Sequence, residues 1–414
     1  MRNSVPRPAT FALRKTFGMM LKIHRTVIRL AFIALMALQC LAVQAAPRRI
    51  MPYPGAWRMD EYLPLLHGKR VALVINQTSL VRNTLLADTL LKRGVALKKI
   101  FVPEHGLRGG ADAGAHIANS KDPKTGLPVI SLYGTNKKPS KTQLADVDIV
   151  VYDLQDVGVR FYTYISTLQY CMEACAENGK ALMVLDRPNP LGDLVDGPVL
   201  DTSLRSFVGM QPIPIAYGMT AGEYANMLRG EGWVKGAKKL TLRVIPCQYW
   251  MHNMTYSLPV APSPNLRDME AVYCYPSLCL FEGTVVSLGR GTDKPFRQWG
   301  HPDFSGKAPD SFRPVSTPGA THPPHEGLTC YGRVLTDNDV QAAHEQIQIG
   351  WLLEAYQWYG ARDGFFTNFF EKLAGTRQLR QQIIAGKTEA EIRKSWEPGL
   401  TRFKAIRQKY LLYR

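Results

Sequence analysis

Apolar strands alternating with amphipathic helices between residues 70 and 190 predict an α/β fold built on a parallel, helix-covered sheet. Two further observations frame that expectation. Near residue 200 the alternation gives way to a Pro-rich chain with sparser helical patterning, which predicts a smaller α+β second domain. A basic and then apolar leader precedes both. The expected organisation is a signal peptide over 1–45, a Rossmann-like α/β domain over 46–200 and an α+β domain over 201–414.

The expected strands are residues 70–76, 99–104, 129–133, 148–153 and 181–186, with helical patterns over 84–93 and 162–178. Continuous apolar runs suit strands covered on both faces, and right-handed crossovers between them make the topology Rossmann-like. Beyond residue 200, Pro212, Pro214, Pro246, Pro259, Pro262, Pro264 and Pro276 punctuate the chain. Helical patterning is strong there only over 222–230 and 341–359. A last helical stretch, 389–410, carries Arg393, Lys394, Arg402, Lys404, Arg407 and Lys409, which suits a solvated face better than a nucleic-acid surface.

The 414 residues are 45% hydrophobic and 21% charged, which excludes a disordered or collagen-like chain. Their net charge of +17 is concentrated at the start. Residues 1–45 hold seven Lys and Arg and no acid, so removing those seven from 51 leaves 44 against 34, or +10. Arg2, Arg7, Arg14, Lys15, Lys22, Arg25 and Arg29 precede an apolar run, 30–43, that ends in Val43-Gln44-Ala45-Ala46. The run is shorter than the ~20 residues that span a bilayer, so cleavage after Ala45 or Ala46 is expected rather than membrane insertion. The expected location is the periplasm, with release to the medium or a lipid anchor as alternatives. Cys40 is a poor lipid site because Leu38-Gln39 precedes it.

Six cysteines follow the leader: Cys171, Cys175, Cys247, Cys274, Cys279 and Cys330. They allow 15 pairings and include no CxxC, so they are read mostly as core thiols rather than zinc or redox ligands.

Chemistry concentrates at the strand ends, because ligands of open parallel sheets bind beyond the carboxyl ends of strands where strand order reverses. Those ends are Asn76-Gln77, Glu104-His105, Tyr133-Gly134, Asp153-Leu154-Gln155-Asp156 and Asp186-Arg187-Pro188-Asn189. No GxGxxG follows the first strand, and neither a Walker lysine motif nor GxSxG is present. Nucleotide binding and the α/β-hydrolase reaction are therefore disfavoured, which leaves the carboxylates.

Glu104, between Pro103 and His105-Gly106, is a candidate general acid because an apolar strand end would raise its pKa; the rival is a glutamate that orders the following Gly-rich loop. Residues 152–164 mix Asp153, Gln155, Asp156, Arg160, Tyr162 and Tyr164, a combination suited to a sugar. The competing view is a divalent-metal site from Asp153, Asp156 and Asp186. In the second domain, Phe281-Glu282-Gly283 joins an acid to the Gly289-Arg290-Gly291 turn, where the arginine could clamp a carboxylate or form a structural salt bridge. His301, His322 and His325 have Pro302, Pro323 and Pro324 beside them and read as an exposed loop.

Several ordered motifs together carry a resemblance. Val102-Pro103-Glu104-His105-Gly106, Asp153-Leu154-Gln155-Asp156-Val157-Gly158, Arg160-Phe161-Tyr162-Thr163-Tyr164, Asp186-Arg187-Pro188-Asn189-Pro190, Ser263-Pro264-Asn265 and Phe281-Glu282-Gly283-Thr284 with Gly289-Arg290-Gly291-Thr292 resemble the exo-β-N-acetylmuramidases of glycoside hydrolase family 171. The likeness runs from about residue 69 to the terminal Tyr410-Leu411-Leu412-Tyr413, with departures at Leu107, Arg267 and Val285.

The resemblance implies a Rossmann-like domain, a smaller α+β domain and an active site in the cleft between them. It implies release of N-acetylmuramic acid from non-reducing ends of peptidoglycan fragments, without metal or cofactor. By the same likeness Glu104 leads the catalytic residues, with Glu282 and the pair Asp153 and Asp156 as possible partners. Asn76, His105, Gln155, Arg160, Tyr162, Tyr164, Asp186, Arg187, Asn189, Asn265 and Arg290 are the expected substrate contacts, with Arg160 or Arg290 on the lactyl carboxylate. A non-catalytic cell-wall sugar-binding protein and a metal-dependent phosphoesterase are the other classes weighed. The basic charge suits an acidic polymer, and the leader argues against nucleic acid as that polymer.

Overall fold

The computed structural model describes residues 51–108 and 119–414, with scattered helical, exposed positions between 20 and 36. Most of the leader, the expected cleavage site and the segment 109–118 lie outside the described residues. Contacts divide the chain into Met1–Met51 and Pro52–Arg414, and the second unit is the subject below. Among the described residues no helix is long and apolar enough to cross a membrane.

Seven strands form the main sheet: β1 (Arg70–Ile75), β2 (Ala96–Val102), β3 (Ser120–Lys121), β4 (Pro128–Ser131), β5 (Ile149–Asp153), β6 (Ala181–Leu185) and β7 (Leu242–Ile245). Their order is β7-β6-β5-β1-β2-β4-β3, parallel throughout except where β3 meets β4. The chain runs outward from β1 to β4, returns to β5 beside β1, and runs outward again to β7.

The alternation of side chains along a strand explains the apolar runs. Val71, Leu73 and Ile75 pack with Tyr62 and Leu66 of α1 (Met59–Leu66) and with Leu86 and Leu90 of α2 (Leu86–Lys92). Ala72 and Val74 face the other way, into the cluster holding Leu168 and Met172 of α3 (Tyr164–Glu177) and Tyr224 and Leu228 of α4 (Ala221–Gly230). Each such side chain buried contributes about 1.5–3 kcal/mol, and both faces are dry.

Beyond the main sheet lie α5 (Met269–Leu278) and the antiparallel strands β8 (Gln298–His301), β9 (Asp310–Phe312) and β10 (Cys330–Val334), ordered β8-β10-β9. Helices α6 (Asp337–Glu345), α7 (Ile349–Trp358), α8 (Phe370–Ala374), α9 (Gln378–Ile384) and α10 (Glu389–Arg407) complete this smaller lobe. Its Phe281, Trp299 and Phe365 belong to the same apolar cluster as Val74 and Val150, so one core continues through both lobes.

Three elements depart from the sequence expectation. The sheet takes β7 from beyond residue 200, an edge strand whose half-exposed Leu-Arg-Val-Ile lacks the continuous apolar signature. The expected helix over 341–359 is two helices, because Gln346 is extended (φ −161°, ψ 158°). That break lets Ile347 N–H donate to Asp196 (2.8 Å) and Gln348 N–H donate to Ser277 (2.9 Å). Pro276 does not interrupt structure, since it sits inside α5. All six cysteines after the leader are buried and unpaired.

A buried carboxylate ties the chain's last residues to the sheet. Asp186, just past β6, accepts from Gly222 N–H (2.7 Å) at the start of α4, from Thr220 Oγ1 (2.6 Å) and from the Tyr413 hydroxyl (2.6 Å). Burial pushes its pKa up to about 6, against the pull of those donors. The folded state therefore keeps a proton that the unfolded chain releases, and the contribution of Asp186 to stability falls as pH rises from about 4 to about 6. Tyr413→Phe removes a donor to the charged form. It is expected to cost about 1–3 kcal/mol in urea unfolding, with a larger loss near pH 8 than near pH 5. Equal losses at the two pH values would contradict this account.

Candidate active site

In a sheet of this order the usual ligand crevice lies between β1 and β5, where the chain reverses direction. Here protein fills it. Asn76 Oδ1 accepts from the N–H (3.0 Å) and the hydroxyl (2.6 Å) of Thr78, whose Oγ1 accepts from Gln155 N–H (3.2 Å). Ser79 Oγ accepts from Asn76 N–H (3.0 Å) and donates to the Asp153 carbonyl. The crevice is thus closed by a turn that bonds to itself and to the neighbouring strand end.

The open cleft lies instead beyond β2 and β4, roofed by the smaller lobe, with a volume of about 1250 Å³. Glu104 and His105 enter it from the end of β2, and Tyr133 and Lys137 from the loop after β4. Tyr162 and Tyr164 come from the start of α3, and Glu282 and Arg290 from the opposite lobe. Rings of Phe161, Tyr275, Phe281 and Phe296 make much of the remaining wall.

Glu104 is half-buried, and its Oε2 is 3.4 Å from Thr163 Oγ1. The Tyr133 phenol stands close to the same carboxylate. Burial first, then the charges of Glu104 and Glu282, push the Tyr133 phenol well above its ordinary range, so it stays a neutral donor. Across the cleft Glu282 Oε1 accepts from Arg290 Nη2 (2.6 Å) and Nε (3.2 Å), and that guanidinium lies 4.9 Å from the Phe296 ring centroid. His105 (φ 71°), Phe296 (φ 58°) and His325 (φ 59°) all line the cleft in the left-handed region that costs non-glycine residues energy.

The other residues singled out in the sequence do not line the cleft, and their bonds show why. Asp153 is fully buried in an ion pair with Arg187 (2.5 and 2.9 Å). Asp156 accepts from Gly158 N–H (2.7 Å) and the Tyr217 hydroxyl, and burial pushes its pKa up to about 6. With Asp186 bound as described, the three aspartates turn to three different partner sets instead of converging on a cation. Gln155 donates to the Asp156 (2.9 Å) and Pro188 (2.8 Å) carbonyls, and Asn189 donates to Gly192 (3.3 Å) and Met219 (3.2 Å).

Asn76 and Asn265 act one step back from the cleft. Asn76 donates to the Tyr164 hydroxyl (2.7 Å), and Asn265 to the Gly319 carbonyl (2.8 Å) of a lining loop. The Tyr162 and Tyr164 hydroxyls both reach the Pro262 carbonyl (2.9 and 3.4 Å), so these residues offer the cleft rings more than hydroxyls. His301 is buried rather than on an exposed loop, 4.7 Å from the His325 ring; His322 is exposed as expected.

Arg160 is the largest correction. Its guanidinium has no solvent contact and donates to the carbonyls of Pro198 (2.9 Å), Ile213 (2.8 Å), Leu373 (2.8 Å) and Ala374 (2.9 Å). It cannot also meet a sugar carboxylate. Conversely, Tyr133 lines the cleft, although the sequence marks it only as part of the strand end Tyr133-Gly134 and attaches no role to it.

Residues 71–270 match the family described as "Exo-beta-N-acetylmuramidase NamZ, N-terminal", and 273–413 match its "C-terminal" counterpart. The chain is 39% identical over 378 residues to the peptidoglycan beta-N-acetylmuramidase NamZ of Bacillus subtilis (strain 168), covering 86% of this chain and 89% of that protein. Among solved structures, a DUF1343 family protein of Bacteroides fragilis NCTC 9343 superposes with TM-score 0.81 at 44% identity, covering 88% of this chain and 99% of that one. A second from the same organism gives TM-score 0.74 at 30% identity, covering 89% and 100%.

Arg160→Met is expected to destabilise the fold by about 3–5 kcal/mol, because carbonyls that met a cation are left without donors. Urea unfolding measures it. A variant that keeps its stability but changes its sugar preference would overturn the structural account of this residue.

Proposed function

The chain belongs to the exo-β-N-acetylmuramidase family, and on that premise we propose that it releases N-acetylmuramic acid from non-reducing ends of peptidoglycan fragments with Glu104 as the general acid. One observation supports the assignment of residues. Glu104 and Glu282 enter the same ring-walled cleft from opposite lobes, and the Tyr133 phenol feels both charges.

Glycoside hydrolysis needs one carboxylic acid to protonate the leaving oxygen and a second group to stabilise an oxocarbenium-like transition state. Glu104 suits the first task. Thr163 donates to its carboxyl group and the Tyr133 phenol stands beside it. Glu282 suits the second, as a charged partner held in place by Arg290. The rings of Tyr162, Tyr164 and Tyr275 offer the apolar face that a pyranose stacks on.

The leader supports export. We read it as a signal peptide cleaved after Ala45 or Ala46, which delivers the enzyme to the periplasm, where cell-wall fragments arise.

With the disaccharide MurNAc-GlcNAc, mass spectrometry is expected to find free MurNAc, and none from the reverse disaccharide. Glu104→Gln should lose about 10²–10⁴-fold in turnover while still binding the substrate, and Tyr133→Phe should lose less. An unchanged rate in Glu104→Gln would remove Glu104 from the mechanism, and intact disaccharide that merely binds would favour the sugar-binding alternative. N-terminal sequencing of the exported protein should begin at Ala46 or Pro47. An N-terminus that retains residues 1–45 would reject the signal-peptide reading.

A further inference from the structure

Muramic acid differs from glucosamine by a lactyl ether that carries a carboxylate, so a site selective for it needs a cation. The two arginines expected to serve are both committed, Arg160 to backbone carbonyls and Arg290 to Glu282. Among the described residues that line the cleft, the remaining lysine or arginine is Lys137.

Lys137 is half-buried on the loop after β4, four residues beyond Tyr133. Its Nζ lies 5.0 Å from the Phe207 ring centroid, and none of its described contacts is with a carboxylate. The adjacent Lys138, by contrast, is neutralised by Glu177 (2.8 Å) and Glu173 (3.6 Å). Phe207 is itself fixed, stacked on Tyr170 with centroids 6.1 Å apart and 6.1 Å from the Tyr133 ring. The ring that carries the ammonium therefore abuts the Tyr133 phenol, which lies beside Glu104. The sequence of residues 109–118 contains no lysine or arginine.

Charge balance leads to the same residue. With Glu104 protonated as the acid, Glu282 and Arg290 cancel each other, so Lys137 is the cation left over to meet an anionic sugar. We propose that Lys137 is the specificity-determining residue, its ammonium pairing with the lactyl carboxylate above the Phe207 ring. The inference rests on the exo-muramidase reading. A partly desolvated ammonium held over a ring binds a carboxylate more strongly than a freely solvated lysine does.

The test compares wild type, Lys137→Met and Lys137→Arg on a chromogenic β-MurNAc glycoside and on the methyl ester of its lactyl group. Lys137→Met is expected to lose about 10–100-fold in kcat/KM on the acid, chiefly through KM, whereas the two proteins should agree within about twofold on the ester. Lys137→Arg should recover most of the loss, and added salt should weaken wild type on the acid but not on the ester. Unfolding midpoints check that the variants fold. If Lys137→Met retains the wild-type ratio of acid to ester, the proposal fails while the muramidase reading stands. If wild type cleaves neither substrate, the muramidase reading fails and takes the proposal with it.

Discussion

A guanidinium removed from water without a carboxylate partner must find an acceptor for its N–H groups or cost several kcal/mol. At Arg160 the acceptors are carbonyls of Pro198, Ile213, Leu373 and Ala374, drawn from three separated segments. Much of the architecture around the cleft is tied together by the two Nη groups of that one side chain. The Leu373 and Ala374 carbonyls at the end of α8 are held against the start of the segment that becomes α3, so both lobes are referred to one point. Gly375, in the left-handed region at φ 74°, is needed there because a Cβ would come within 2.5 Å of the guanidinium. Phe161, Tyr162 and Leu373 line the cleft next to this anchor, so the positions of those wall residues descend from it.

The second determinant is where the sheet does not bind. The turn Asn76 to Ser79 uses its own side chains to close the crevice between β1 and β5, and the Asp153–Arg187 ion pair stiffens the same strand end. The open cleft is displaced by one and two strands, to the ends of β2 and β4. The opposite lobe then supplies what a sheet edge cannot, a second carboxylate with its counter-ion and a roof of aromatic rings. The same fold that elsewhere cradles a dinucleotide here holds two acids apart across a cleft.

Much of this was legible in the sequence. The continuous apolar runs of β1, β5 and β6 reflect burial on both faces, and Glu104, His105, Glu282 and Arg290 stand where their local motifs put them. The failures share one cause. Asp153, Asp156, Asp186, Asn189 and Arg160 are polar residues at or soon after strand ends, and a side chain that bonds within the protein looks, in one dimension, like one that bonds to a ligand. Residue type records the capacity to hydrogen-bond and not the direction. Lys137 was passed over for the converse reason, since a lysine in a loop is common and only the fold brings it to the cleft, while Tyr133 was visible only as a strand end with no role attached. The strand β7 was hidden because an edge strand with alternating exposure lacks the signature of its buried neighbours.

The six buried thiols bear on what happens when the fold is lost. Burial pushes Cys175 and Cys330 up to about 12, so in the native protein they neither ionise nor exchange. Unfolding returns all six to ordinary thiols with 15 ways to pair fully, none of them found in the native structure. In oxidising surroundings each excursion out of the native state is thus open to covalent capture, and the molecule's lifetime is set by how rarely it opens and not by how favourably it closes. Tight packing around sulfur is then a kinetic safeguard against such capture.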